Sequence, residues 1–138
     1  YEGPVEDMPR NISPSSFAGL PDAFIRHVEM RNIEIRYPGG GDPHFAAVPL
    51  NALNKIPEKA TAYPEFSMFG ELPAWGFFFK HVEDVRIENM LLSVKKKDFR
   101  TAIVIDNGHD ITISKLVVKE PAKKVPVFSN RSTRVVIK

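Results

Sequence analysis

The residues best suited to chemistry are a set of aromatic rings beside a few polar groups. Tyr63, Phe66, Phe69 and Trp75 lie close together in the chain, with His44, His81 and Arg100 flanking them. Rings of this kind can cover the apolar face of a ligand, while a few polar groups fix its orientation. An arginine such as Arg100 can pair with a carboxylate in a two-pronged manner. From these residues the sequence points to Tyr63, Trp75, His81 and Arg100 as candidate substrate contacts. Competing structural roles are plain for several of these. Phe66 and Phe69 can fold back on a wall of strands, Trp75 can pack beneath the segment that carries it, and Arg100 can pair with Asp98 or Asp106.

Other chemistries find little support. The chain has no cysteine, so it has neither a disulfide framework nor a thiolate metal site. Four scattered histidines do not make a metal site, and no cofactor or metal is expected. There is no Gly-x-Ser-x-Gly elbow, phosphate loop or His-Glu-x-x-His. Nineteen basic residues against 17 acidic ones give a net charge of +2, a balance that argues against nucleic acid as a partner. Lys95-Lys96-Lys97 reads as a solvated turn. No apolar run has the length of a membrane span.

The elements that must position these residues follow from an internal repeat. Val28–Ile35, Val85–Leu92 and Ile111–Val118 share one pattern: apolar, any, apolar, any, Asn or Lys, apolar, any, apolar; Val135–Lys138 carries its first four positions. The first half has the period of a strand, and the phase shifts at the Asn or Lys. Val, Ile and Thr dominate, which favours strands over a helix. The units begin 26 and 24 residues apart from Val85 to Ile111 to Val135, and 57 residues apart from Val28 to Val85. A further apolar strand precedes each unit: Ile12–Phe17, Gly76–Phe79, Ala102–Ile105 and Val125–Phe128. A period in the twenties built from short strands predicts an all-β fold, a right-handed parallel β-helix of about four to five coils.

In that reading the whole chain, 1–138, is one domain. Residues 1–10 are a cap or linker. Residues 38–74, rich in Pro and Gly, are a long loop insertion with a helical turn over Pro49–Lys55. Asn32 and Asn89 occupy equivalent corners, where asparagine tolerates a left-handed backbone, and Lys115 interrupts their ladder. His27 and His81 are taken as equivalent corner residues just before the repeat. The open first coil is expected either to be capped by "YEGPVEDMPR" or to associate end to end with another copy.

The stretches "EIRYPGGG", "YPEFSMFGELPAWGFFFKHVEDVRIENM" and "FRTAIVIDN" are irregular beyond what coil periodicity requires. Together they resemble the C-terminal coils of the glycoside hydrolase family of the polygalacturonases, within the pectin-lyase-like superfamily, and bacterial members in particular. The resemblance covers about Arg10 to Val118. It implies hydrolysis of α-linked galacturonic acid or related pectic sugars without a metal, an acidic polysaccharide or oligosaccharide partner, and a secreted or periplasmic location. The family's Asn-Thr-Asp, Asp-Asp, Gly-His-Gly and Arg-Ile-Lys motifs are all missing. The seven aspartates are Asp7, Asp22, Asp42, Asp84, Asp98, Asp106 and Asp110, and no two are adjacent. Gly108-His109-Asp110 reads as turn chemistry, and Arg86-Ile87-Glu88 as a strand with Ile87 inward. No catalytic residue is therefore assigned. The chain reads as such an enzyme's C-terminal part without its carboxylates, or as a non-catalytic carbohydrate-binding or structural module.

Overall fold

The computed structural model describes residues 13–41, 43, 49–62, 68–121 and 124–138. The segment 1–10, expected to cap the first coil, lies outside the described residues, as do Tyr63, Phe66 and His44. The fold is all-β, with almost no helix: β1 (Ser15–Ala18), β2 (Ile25–Gly39), β3 (Ala74–Lys96), β4 (Thr101–Lys119), β5 (Val127–Asn130) and β6 (Thr133–Ile137). All six belong to one sheet, and every pairing between them is parallel.

The pairing arranges the chain in four stacked rows. β1 and β2 form the first and lie along successive parts of β3. β4 pairs with β3 over most of its length, and β5 and β6 lie along successive parts of β4. Val28, Val85, Ile111 and Val135 stand in one column. Phe77, Ile103 and Val127 stand in another. The inward residues bury one another between the rows. Phe17 stacks on Phe79, which stacks on Phe77, with ring centroids 5.3 and 5.7 Å apart.

The rows bend where non-glycine residues adopt positive φ, and these residues form three columns. Asn32, Asn89 and Lys115 make one, with φ of 55°, 56° and 54°. The Asn89 side-chain amide donates to the Asn32 Oδ1 at 2.8 Å. His27, Asp84, Asp110 and Arg134 make the second, and His81, Asn107 and Arg131 the third. This corrects the expected equivalence of His27 and His81. His27 stacks on Asp84, three residues beyond His81. The apolar faces decide the register: Val28, Met30, Ile33 and Ile35 must lie over Val85, Ile87, Met90 and Leu92, and a slip of odd length would turn them outward. In the third column Gly108 follows the bend at Asn107. A Cβ there would come within 2.5 Å of Ile105 and 2.7 Å of Ile111.

The insertion builds a second, smaller core on the outer side of β3. A 3-10 helix, Leu50–Lys55, sets Leu53 against Ile56, Leu72, Ala74, Phe78 and Val104. This explains the uninterrupted apolar run from Trp75 to Phe79: Phe77 and Phe79 fill the inner core while Phe78 fills the outer one. Phe69 packs on the same cluster, as expected of a ring folded back on the wall. Full burial of Leu53 and Phe78 contributes about 1.5–3 kcal/mol each to holding the insertion down.

Candidate functional site

Two polar clusters join the insertion to the rows. The first centres on Asp98, in the turn between β3 and β4. Its carboxylate accepts from Arg100 Nη2 at 2.8 Å, Arg100 Nε at 3.0 Å, the Arg100 backbone N–H at 3.0 Å and the Gly41 N–H at 2.9 Å. Arg100 Nη1 reaches the Leu72 carbonyl at 3.2 Å, so the pair grips both ends of the insertion. Both side chains are almost fully buried. Burial pushes the Asp98 carboxyl up, but the Arg100 guanidinium and the N–H donors outweigh it and hold the group below its ordinary value. Only glycine fits at position 41, because a Cβ would come within 2.8 Å of both Asp98 oxygens.

The second cluster occupies the third corner column. Lys80 ends the apolar run of β3 and His81 takes the left-handed bend after it, with φ of 52°. Both are buried, yet both point at Glu58 of the insertion. His81 Nε2 lies 3.0 Å from each Glu58 carboxylate oxygen, and Lys80 Nζ lies 3.2 Å from one of them. Lys80 also donates to the Ile56 carbonyl at 3.0 Å. Glu58 itself remains about 39% exposed, so the carboxylate is the wet member of a dry pair of donors. Burial raises its pKa, while hydrogen bonds from His81 and Lys80 and the Lys80 charge bring it below the usual value.

The ring orientation of His81 is fixed from behind. The Asn107 side-chain amide donates to His81 Nδ1 at 2.8 Å, which leaves the His81 proton on Nε2, aimed at Glu58. Asn107 Oδ1 in turn accepts from His109 Nε2 at 3.0 Å, and His109 Nδ1 meets the Thr133 hydroxyl at 2.7 Å. One polar chain thus crosses three rows. Phe24 covers both imidazoles, with centroid distances of 5.6 Å to His81 and 5.8 Å to His109. Asp106, beside Lys80 in the ladder, is fully buried and is closed off by Asn130 at 3.0 Å and Arg131 at 2.7 and 3.1 Å.

Along the outer face the second corner column carries an exposed series of ion pairs. His27 meets Asp84 at 2.7 Å, Arg86 Nε approaches Asp84 at 3.6 Å, and Arg134 pairs with Asp110. The Arg134 guanidinium holds the Asp110 carboxyl below its ordinary value. Shallow open grooves run between these side chains.

The four sequence-derived contacts therefore part company. Tyr63 lies outside the described residues. Trp75 is 1% exposed, its ring edge-on to Tyr37 at 5.8 Å and its indole N–H donating to Glu120 at 3.0 Å. In that position it offers no face to solvent. Arg100 turns its fork onto Asp98, the pairing that its spacing had offered, and onto the Leu72 carbonyl. Among the described three, only His81 stands in a cluster that also includes an exposed group. Its partners Glu58, Lys80 and Asn107 were not singled out from the sequence, and His109 was read there as turn chemistry. Lys80 carried a signal: a lysine ending the run "GFFFK" is a cation that needs a buried partner. Among the described residues no group of three or more His, Asp or Glu side chains is arranged to hold a metal ion.

No protein-family model, curated protein or solved structure matches the chain.

Proposed function

We propose that the chain is a right-handed parallel β-helix of about four coils and forms the non-catalytic C-terminal portion of a polygalacturonase-like glycoside hydrolase. In this reading it holds acidic pectic polysaccharide outside the cell or in the periplasm. The stacked rows and their three columns of left-handed corners support the coil architecture. Parallel crossovers favour the right hand.

One observation carries the non-catalytic part: the four aspartates on β3, β4 and the turn between them are already taken. Asp84 is met by His27, Asp98 by Arg100, Asp106 by Arg131 and Asp110 by Arg134. Glycoside hydrolysis by two carboxylates needs one with a raised pKa to protonate the leaving oxygen, and open space for water beside the other. Asp98 and Asp110 are instead held low, and Asp106 is sealed. Incubation with polygalacturonate, followed by reducing-end assay, should give no turnover, whereas calorimetric titration with oligogalacturonides should give binding. Turnover by this chain alone overturns the first half, and absence of oligogalacturonide binding overturns the second.

A further inference from the structure

We propose that Lys80 and His81 form a carboxylate-binding site, that Glu58 fills it as an internal ligand, and that the carboxylate of a uronic acid displaces Glu58. The uronic-acid part rests on the polysaccharide reading above; the carboxylate site does not.

Three features of the geometry point this way. First, the donors are built in while the acceptor is not. The Lys80 and His81 side chains are 3% and 4% exposed, against 39% for Glu58. His81 Nε2 stands midway between the two oxygens, at 3.0 Å from each, the placement suited to a carboxylate rather than a single oxygen. Second, the donors are aimed by groups outside the Glu58 contact. Asn107 fixes the His81 tautomer, and the Ile56 carbonyl holds Lys80. The aim therefore survives when Glu58 leaves. Third, Glu58 can leave without unfolding the insertion. The anchors of the insertion are Leu53 and Ile56 in the outer core, whereas Pro57 and Lys59, the neighbours of Glu58, are exposed. Lys59 takes a left-handed turn, φ 54°, and its carbonyl accepts from Ala62, so the chain turns away from the rows' contact directly after Glu58 within its own local hydrogen bond.

A buried ammonium must keep an anion near it. Removing the Glu58 charge leaves Lys80 waiting for one, and a free carboxylate of the same geometry answers the need. The charged surroundings agree with an anion rather than a cation. Asp106, which neighbours Lys80 in the ladder, is already paired with Arg131 at 2.7 Å.

The test is chemical rescue in the Glu58→Gln variant. Its melting temperature should fall below that of wild type. Acetate or monomeric galacturonate at millimolar concentration should restore it, with chloride at matched ionic strength restoring nothing, and wild type should barely respond. Oligogalacturonide affinity should rise about tenfold in Glu58→Gln, the factor expected where an internal ligand fills the site about nine-tenths of the time. Lys80→Met in the Glu58→Gln background should abolish both effects. Rescue by acetate without any oligogalacturonide binding keeps the carboxylate site and sinks the sugar reading. Oligogalacturonide binding that is equal in wild type, Glu58→Gln and the double variant, with no rescue by either carboxylate, overturns the site. If Glu58→Gln does not fold, titration of wild type with galacturonate, followed through the His81 ring resonances, replaces it, and unmoved resonances at saturation overturn the proposal.

Discussion

The Asp98–Arg100 clip and the Glu58–Lys80–His81 corner do the same task in opposite ways. Each ties the insertion to the rows through an anion and a cation. In the clip both partners are dry, and the carboxylate takes four N–H contacts from Arg100 and Gly41. In the corner the cationic side is dry and the anionic side is wet. A closed pair can only be broken. A pair with one exposed member can exchange that member. The contrast separates a structural fastening from a site.

The largest effect should come from breaking the clip. Arg100→Met leaves Asp98 buried with its charge uncompensated, at a cost of about 3–5 kcal/mol in urea unfolding. Adding Asp98→Asn should recover part of that loss, because the orphaned charge goes with it. The corner should behave otherwise: Glu58→Gln should cost less than Arg100→Met, because water reaches the position that Glu58 vacates.

Acid should sharpen the same contrast. Glu58 and Asp98 both have folded-state pKa values below their ordinary ones. Each therefore contributes stability that is present above the unfolded value, near pH 4, and is lost as pH falls through the lower folded value. The urea midpoint should fall from about pH 5 downward in wild type. Glu58→Gln should flatten part of that slope, and Asp98→Asn, on its own, a larger part. Identical slopes in all three proteins would contradict the assignment.

Much of this was legible in the sequence, for reasons that can be named. The columns through Val28, Val85, Ile111 and Val135 were readable because inward residues must be apolar at every row. The corner at Asn32 and Asn89 was readable because few residues tolerate positive φ. The helical turn at Leu50–Lys55 was readable from its place in the insertion. The polar clusters were harder. Glu58 is separated from Lys80 by 22 positions, and no period links the insertion to the rows. The paired His-Val-Glu phrases misled, because identical letters at 27 and 81 suggested a register that the apolar faces forbid. Burial of Trp75 and Arg100 was left open by the sequence, since an aromatic beside a Pro-rich loop serves a core and a sugar equally well.

A smaller effect is expected at the asparagine ladder. Asn89 holds φ at 56° and bonds to Asn32. Asn89→Ala should cost about 1–2 kcal/mol, since alanine at left-handed φ is strained, and Asn89→Gly should cost less. Lys115 holds the same conformation with no amide to offer. Lys115→Asn should therefore raise thermal stability slightly by extending the ladder across a third row.

The smallest effect belongs to the exposed column. His27 is 78% exposed, and its contact with Asp84 at 2.7 Å lies open to solvent. Such pairs contribute about 0–1 kcal/mol and weaken as salt rises. His27→Asn keeps a residue that tolerates φ of 60° while removing the ring. Its urea midpoint should stay within error of wild type, and the small difference should vanish at high salt. A large loss would mean that the column, rather than the apolar faces beneath it, holds the rows in register. That exposed contact would then outrank the buried clip, against the direction in which water screens charge.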